Sequence, residues 1–341
     1  MNAIERMRAT EKGLPADRAP FVPSVYEHGA FLIGKTPSEL SVDAKLIVEA
    51  QSKAYELYGH DLISVGVDIY NIEAQALGCE VEYFTDGNVP CVSTRILDEV
   101  PLEELKVPDP CKDGRMPMML DAVEQLAKRY GKEVPVNGTL VGPMTLAAII
   151  TGYEKMVLLM ITEPEECERI LDFTTQVCTA FASAYMRLGV GININESWIS
   201  QPVLSPSLYH DFVFERHKKI IAELRSVGDG SIGIISGGDT TAICRDLSQT
   251  GSSILMADYC CDQTLYKKHA LAAGIMLRGS INSKLVRTGP VELIKKETHE
   301  LLRKCADGGR FILGCGVVPY DAPPEHVLAV KEAEEEFYGL R

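Results

Sequence analysis

The sequence predicts an α/β fold, a single TIM (β/α)8 barrel over residues 1–341. Short apolar runs that end in polar or glycine residues alternate with longer stretches of helical periodicity, and eight such runs occur. Repeated β-α units produce a parallel sheet, and eight of them close into a TIM barrel. No run is followed by the Gly-x-Gly-x-x-Gly dinucleotide fingerprint, so an open doubly wound sheet is the weaker alternative.

The predicted strands and helices alternate regularly along the chain. The eight apolar runs are residues 19–26, 62–68, 134–140, 190–195, 231–236, 253–258, 275–279 and 310–315. The main predicted helices between them are residues 42–58, 119–129, 164–188, 206–224, 265–273 and 291–306. An amphipathic N-terminal helix is predicted in the opening segment MNAIERMRATEKGLP.

One connection, about residues 78–115, is too long for a simple crossover. It holds two β-like segments, residues 80–85 and 89–94, around the turn residues Asp86 and Gly87. A polar, proline-bearing stretch follows them. We therefore expect a hairpin-bearing insertion after strand 2, over the active-site face of the barrel.

Composition and charge limit the partners. The 341 residues include 34 basic and 48 acidic side chains, a formal net charge of −14, which disfavours nucleic acid and anionic membrane surfaces. No stretch approaches the roughly 18 apolar residues of a membrane span. Ten cysteines without regular spacing fit reduced thiols. The expected location is the cytoplasm.

The ends of the eight runs supply the candidate site residues, because strand ends of a barrel converge on one mouth. Any single member has the alternative of being an ordinary hydrogen-bonded loop residue. The polar residues at these ends are Tyr26, Glu27, His28, Asp68, Asn71, Glu73, Asn195, Glu196, Ser236, Asp239, Asp258, Tyr259, Cys260, Cys261, Asn282 and Cys315.

Glycines and cysteines at the same ends point to close ligand approach. Gly279 follows the seventh run, and Cys315 lies between two glycines. A thiol in such a setting can ionise and bind a metal, while a buried, inert cysteine is the alternative.

Seven segments then carry a resemblance over nearly the whole chain. They are residues 57–61 (LYGHD), 73–78 (EAQALG), 142–147 (GPMTLA), 204–213 (LSPSLYHDFV), 237–241 (GGDTT), 278–282 (RGSIN) and 314–323 (GCGVVPYDAP). The chain resembles the uroporphyrinogen decarboxylase superfamily. Within it, the chain is similar to the corrinoid-dependent methyltransferases. The resemblance implies a TIM barrel, which agrees with the eight runs.

The resemblance also separates the possible activities. Decarboxylases of this superfamily carry an arginine-bearing motif after the first strand, where this chain reads YEHGA at residues 26–30. A substrate with eight carboxylates would meet no visible counter-charge there, so a decarboxylase-like lyase is the less favoured activity.

The zinc ligands implied by the coenzyme M branch are largely missing. Ile235 and Gly237 stand where the family has histidine and cysteine, and only Cys315 matches a ligand. A zinc site would need Glu196, Asp258 or Cys260 as substitutes. Cys261 is a further possible ligand, although only one of the two adjacent cysteines would face the mouth. A methylcobamide:thiol methyltransferase, which uses zinc to activate its thiol, is therefore an alternative rather than the first prediction.

Two histidines lie on the predicted helix 206–224. His217 lies about eleven residues along it, roughly 16 Å from the mouth, and is set aside as a ligand. His210, in the first turn, is better placed, with a surface role as the alternative.

The expected function is methyl transfer from a methoxylated aromatic, methanol or a methylamine to the cob(I)amide of a separate corrinoid protein. The catalytic candidates are Glu196, Asp258, Tyr26 and His28, and the substrate-binding candidates are Asp68, Asn71, Asn282, Gly279, Ser236 and Asp239. No cobalamin-binding Asp-x-His-x-x-Gly segment occurs, which favours a separate corrinoid carrier. The resemblance implies a homodimer. A non-catalytic binding barrel is disfavoured by the carboxylates at the mouth.

Overall fold

Seven parallel strands form one curled sheet in the computed structural model, which describes residues 1–340. The chain's strands are β1 (Ile63–Val65), β2 (Val81–Glu82), β3 (Cys91–Val92), β4 (Val136–Val141), β5 (Gly191–Asn195), β6 (Ile232–Ile235), β7 (Ile254–Ala257), β8 (Met276–Ser280) and β9 (Phe311–Gly314). The order in the parallel sheet is β1-β4-β5-β6-β7-β8-β9. Neighbours in the sheet are therefore neighbours in the β-α repeat, which confirms the α/β class.

The first predicted run is not a regular strand. Phe21 and Ser24 form isolated parallel bridges with Leu313 and Val317, and Asp61 N donates to the Phe21 carbonyl oxygen at 2.8 Å. Two prolines in the run, at positions 20 and 23, remove backbone donors that a continuous ladder needs. The prediction of eight regular strands is wrong at this run, although the segment still hydrogen-bonds to β9 on one side and to Asp61, just before β1, on the other.

Helices separate the strands of the sheet. They are α1 (Ala3–Lys12), α2 (His28–Leu32), α3 (Pro37–Leu40), α4 (Ala44–Tyr58), α5 (Ile72–Ala76), α6 (Met116–Tyr130), α7 (Pro143–Thr151), α8 (Tyr153–Thr162), α9 (Pro164–Arg187), α10 (Pro206–Leu208), α11 (Glu215–Arg225), α12 (Cys244–Ser248), α13 (Gln263–Ala273), α14 (Ser283–Thr288), α15 (Val291–Cys305) and α16 (Pro324–Phe337). A π-helical segment, Tyr209–Phe214, joins α10 to α11 and interrupts the single helix predicted there.

The long connection after β1 contains a short hairpin. β2 and β3 pair antiparallel, with Val81 opposite Val92 and Glu82 opposite Cys91. Asn71 ties this hairpin to the end of β1: its Nδ2 donates to the Pro90 carbonyl oxygen at 2.7 Å, and its Oδ1 accepts from Val92 N at 3.1 Å. The hairpin is thus held over the carboxyl edge of the sheet.

Apolar side chains close the opposite, amino-terminal end of the sheet. One buried cluster consists of Met7, Val22, Leu62, Ile254, Met276 and Ile312. Met7 comes from α1, whose start is fixed by a capping box between Asn2 and Glu5. α1 therefore covers this end of the sheet.

Within residues 1–340, no single helix is long and apolar enough to cross a bilayer. Only the pair α7 and α8, taken together, has the length and composition of a span, and the pair is bent by 105°.

Candidate active site

A cavity of about 590 Å³ opens at the carboxyl edge beside β1 and β5. Its walls include Tyr70, Trp198 and Ile149, together with hairpin residues Val92 to Arg95. Trp198 stacks on Tyr153, with ring centroids 4.6 Å apart, and the Tyr70 hydroxyl lies 2.6 Å from Ser197 Oγ. Aromatic walls with a few polar groups are typical of a small-molecule site.

Asp68 organises the polar side of this cavity. It has a φ of +53°, a left-handed conformation that aspartate tolerates better than most residues. Its Oδ2 lies 2.6 Å from Arg115 Nη1, and its Oδ1 accepts from the side-chain amide of Asn71. Burial raises the pKa of Asp68, while Arg115 and Asn71 oppose that shift. Asn71 also lines the cavity.

Two more buried carboxyl groups adjoin Asp68. Asp68 N donates to Glu27 Oε1 at 3.1 Å, and burial raises the pKa of Glu27 to about 6. Val141 N donates to Glu73 Oε1 at 2.9 Å, and burial raises the pKa of Glu73 to about 8. Carboxyl groups with such pKa values hold or release a proton near neutral pH, as acid–base catalysts do.

Tyr26 lies between these acids and the interior of the sheet. Its ring packs against Gly66, where a Cβ would lie 2.7 Å from the ring carbons. Burial raises the pKa of Tyr26, and both Arg278 and Glu27 act on it electrostatically. Tyr26, which the sequence predicts at the mouth, is thus a buried phenol beside Glu27.

Glu196 does not face the cavity. Its oxygens accept from Met144 N at 3.0 Å, from Thr145 N at 2.9 Å and from Thr145 Oγ1 at 2.7 Å. His217 Nε2 lies 3.0 Å from Glu196 Oε1, and both side chains are fully buried. The carboxylate thereby satisfies the free amides at the start of α7. The placement argues against Glu196 as a catalytic acid or metal ligand.

The contact between His217 and Glu196 was not predicted, because the residue after β5 was expected to point to the mouth. Glu196 instead turns back between α7 and α11, where His217 meets it. His210 is exposed and lies 2.9 Å from Asp246 Oδ2, as the surface alternative expects.

Asp258 is at the carboxyl edge and half-buried. Its Oδ2 accepts from Gly238 N at 2.8 Å, and its Oδ1 accepts from Tyr259 N at 2.7 Å. Nearby, Ser236 is buried, whereas Asp239 is exposed and holds Thr241 N through Oδ1. These residues lie in the loops that follow β6 and β7, and none of the three is among the walls of the cavity beside β5.

His28 and Cys315 belong to the buried core. His28 Nε2 lies 2.7 Å from the Tyr58 hydroxyl, and its Nδ1 lies 3.0 Å from the Tyr320 carbonyl oxygen. Burial raises the pKa of the Cys315 thiol to about 12, and Cys315 acts electrostatically on Tyr58. A protonated thiol and a histidine engaged at both nitrogens are poorly suited to catalysis or metal binding.

The residues do not fit zinc. Within residues 1–340, no group of three or more His, Cys, Asp or Glu side chains could hold a metal ion. Cys260 is exposed with a pKa raised by burial to about 11, and Ile235 is a buried aliphatic residue. The four predicted ligands Cys315, Glu196, Asp258 and Cys260 therefore form no common site, because their side chains serve separate local contacts.

Two other predicted binding residues have structural roles. A Cβ at Gly279 would lie 2.7 Å from Gln263 Oε1 and 2.8 Å from the Phe311 ring, so this position faces the surrounding helices rather than the interior. Asn282 caps α14, since its side chain accepts from Lys284 N at 2.9 Å.

Four residues near the site, Tyr70, Trp198, Arg115 and Arg278, were not predicted from the sequence, and His217 was set aside. Tyr70 follows Asp68 by two residues and could have been found from that loop. Arg278 is the charged residue in an otherwise apolar run, a pattern that marks a buried functional cation. Arg115 lies in the insertion, Trp198 in a short 3₁₀ turn and His217 in α11. None of them stands at the end of a predicted strand.

Comparison with known proteins identifies the class of protein. The model of the uroporphyrinogen decarboxylase (URO-D) family matches residues 2–337, and the chain belongs to this family. The resemblance found in the sequence is thereby confirmed.

Some of the relatives are named as methyltransferases and others as uroporphyrinogen decarboxylases. The methylcobamide:CoM methyltransferase MtaA of Methanosarcina barkeri is 27% identical, with 98% of each chain covered. A uroporphyrinogen decarboxylase of Legionella pneumophila is 26% identical over 97% of this chain and 91% of its own length. The structure of a methyltransferase from Methanosarcina mazei superposes with a TM-score of 0.86 at 25% identity, covering 99% of both chains.

Proposed function

We propose that this protein transfers a methyl group from a small methylated substrate to the cob(I)amide of a separate corrinoid protein. The substrate classes considered are a methoxylated aromatic, methanol and a methylamine. We further propose that residues 1–341 form one domain in which the segment 19–26 completes an eight-stranded barrel, and that the protein is a cytoplasmic homodimer. Support comes from relatives named as methylcobamide methyltransferases over nearly the full length.

One observation carries the proposal: a buried carboxyl group whose pKa is raised to about 6, that of Glu27, is linked through Asp68 and Asn71 to an aromatic-walled cavity at the carboxyl edge. Glu27 accepts from Asp68 N, Asp68 accepts from Asn71, and Asn71 lines the cavity. Methyl transfer from oxygen or nitrogen needs a proton for the leaving atom as the carbon–heteroatom bond breaks. This chain of hydrogen bonds supports Glu27 as the acid for a substrate bound in the cavity.

The residues of this chain would act by binding, orientation and proton transfer. Cob(I)amide, when bound, supplies the electron pair that forms the new methyl–cobalt bond. Glu27 gives its proton to the departing oxygen or nitrogen, and Tyr26 and Asp68 hold that carboxyl group in place. The aromatic walls and Asn71 orient the methyl group. We retain Asp258, Ser236, Asp239 and Asn282 as contacts to the substrate or the corrinoid partner at the rim.

A thiol acceptor is the second candidate, because a relative is named as a methylated-thiol:coenzyme M methyltransferase. The lack of a zinc-compatible cluster within residues 1–340 weighs against the zinc-activated form of that reaction. A decarboxylase-like lyase is the third candidate. The chain reads YEHGA at residues 26–30, where the decarboxylases carry their arginine-bearing motif, and this weighs against that activity.

The test is product analysis with the purified protein under anaerobic conditions. The protein is incubated with reduced cobalamin and, separately, with methoxylated aromatics, methanol and methylamines. We expect one class to yield its demethylated product together with methylcobalamin. Release of carbon dioxide from uroporphyrinogen, with no demethylation in any class, would favour the lyase instead.

A further inference from the structure

Arg278 is a buried arginine on the inner face of β8. Met276, two residues before it, belongs to the apolar cluster that closes the amino-terminal end of the sheet. Because alternate residues of a strand share a face, Arg278 points into the same interior, one step nearer the carboxyl edge. Only 4% of the residue is exposed. A cation at this position requires a partner or a function.

The contacts of Arg278 differ from those of the other deeply buried arginines. Arg6 pairs with Asp17 and Asp61, and Arg18 pairs with Asp61 and Glu334. Among residues 1–340, no ion pair to Arg278 is formed, and its side-chain hydrogen bond runs from Nη2 to Ser24 Oγ at 2.8 Å. Its Nε has no hydrogen-bond partner in the described chain.

A second polar atom beside Arg278 also lacks a hydrogen bond. The hydroxyl group of Ser280 is buried and has no hydrogen-bond partner within the described residues. Arg278 Nε and Ser280 Oγ lie beside Gly314: a Cβ there would be 2.8 Å from Nε and 3.1 Å from Oγ. An N–H donor and a hydroxyl donor therefore flank the same glycine, together with the Gly279 carbonyl oxygen 3.0 Å from that Cβ position.

The free-energy cost of burying Arg278 without an ion pair indicates which kind of ligand would bind beside it. Burying an unpaired guanidinium is expensive, and arginine does not escape by losing its proton. An oxyanion would neutralise the charge and accept from both Nε and the serine hydroxyl groups. Such charge-assisted hydrogen bonds are about twice as strong as neutral ones.

We propose that Arg278, with Ser24 and Ser280, binds the carboxylate of the methyl donor. This inference rests on the proposed methyltransferase function for the identity of the ligand. Tyr26, which is influenced by both Arg278 and Glu27, connects the anion site to the acid beside the cavity. Of the donor classes considered, the site selects an anionic methoxylated compound over neutral methanol and over methylammonium, which a cation would repel.

The test is binding of 4-methoxybenzoate, measured by calorimetry and thermal denaturation without any corrinoid. We expect binding that raises the melting temperature, and at least tenfold weaker binding of uncharged 4-methoxybenzyl alcohol. Arg278→Met should weaken binding of the acid by about tenfold or more, and Ser280→Ala should weaken it several-fold.

A stability readout separates a binding role from a structural one. Because Arg278 has no ion pair within residues 1–340, Arg278→Met should leave the ligand-free melting temperature unchanged or raised, whereas Arg18→Met should lower it. If Arg278→Met does not fold, Ser280→Ala still tests the site. Unchanged binding in the folded variants, equal binding of acid and alcohol, or equal stabilisation by inorganic phosphate would overturn the proposal.

The binding assay is independent of catalysis. Binding of the acid through Arg278 without any methyl transfer would leave the anion site in place and refute the proposed function. Methyl transfer from neutral donors alone, with no binding of the acid, would support the proposed function and refute the anion site.

Discussion

His217 Nε2 lies 3.0 Å from Glu196 Oε1 in a part of the protein that solvent does not reach. The same carboxylate holds the first backbone amides of α7. This contact joins β5, α7 and α11, and so fixes two helices against the sheet next to the cavity. Glu196 is therefore a structural residue in our account, although it follows β5 as a catalytic residue would.

Replacement of Glu196 should affect stability before chemistry. Glu196→Ala leaves His217 and the amides of Met144 and Thr145 without their acceptor, and we expect a loss of about 3–5 kcal/mol in the free energy of unfolding. Urea denaturation measures it. Glu215→Ala, on an exposed pair with Lys218, is the control and should change stability by less than about 0.5 kcal/mol. Loss of activity at unchanged stability would instead indicate a catalytic role for Glu196.

Cys315 should have no part in metal binding. Its buried thiol has a pKa of about 12 and remains protonated at neutral pH. We expect elemental analysis of the purified protein to find far less than one zinc per chain, and Cys315→Ala to lower stability by about 1 kcal/mol through lost packing. Cys260→Ala, at an exposed cysteine, is the matched control. Stoichiometric zinc that disappears in Cys315→Ala would contradict this.

Glu73 should make stability fall as the pH rises. Burial raises its pKa from 4.5 to about 8, so the native protein keeps a proton that the unfolded chain releases at lower pH. Its contribution is complete below pH 4.5 and is lost as the pH approaches 8.

Glu73→Gln removes this titration while retaining an oxygen for the hydrogen bond from Val141 N. The variant should gain stability relative to the native sequence between about pH 5 and pH 8, as measured by urea denaturation at both values. Glu334, whose pKa is also about 8, is present in both proteins and cancels in the comparison. A stability difference that stays constant across this range would show that Glu73 ionises normally.

Asn71 should control the order of the hairpin over the cavity. Asn71→Ala removes the bonds to the Pro90 carbonyl oxygen and from Val92 N, each worth about 1 kcal/mol, and should speed amide hydrogen exchange in the hairpin. We also expect a raised KM, because the hairpin forms part of the cavity wall. Asn88→Ala, at the hairpin turn, is the control, since Asn88 bonds only to Asp86 among the contacts described. Equal exchange in both variants would contradict a role for Asn71.

The sequence predicts the parallel sheet well because strand identity is a local property. Seven of the eight runs contain strands, and the periodic helices such as α4 and α9 begin and end within a few residues of their predicted bounds. The first run forms no regular strand because Pro20 and Pro23 interrupt its hydrogen-bond ladder. The pattern of apolar residues alone does not reveal this.

The site was harder to predict because side-chain direction depends on packing. Asp68 and Asn71 do meet at the cavity, as their positions after the first complete strand imply. Glu196, His28 and Gly279 have equally favourable positions in the chain, yet their groups face helices or core. Their direction is set by α7, Tyr58 and Gln263, partners far away in the sequence.

Methyl transfer to cobalt is tested most directly by the visible spectrum of reduced cobalamin mixed anaerobically with the protein and a methyl donor. We predict conversion to methylcobalamin with the native protein, slowing by about a hundredfold in Glu27→Gln, and no slowing in Glu11→Gln at an exposed position. An unchanged cobalamin spectrum with every methoxylated aromatic, methanol and methylamine offered would contradict the account.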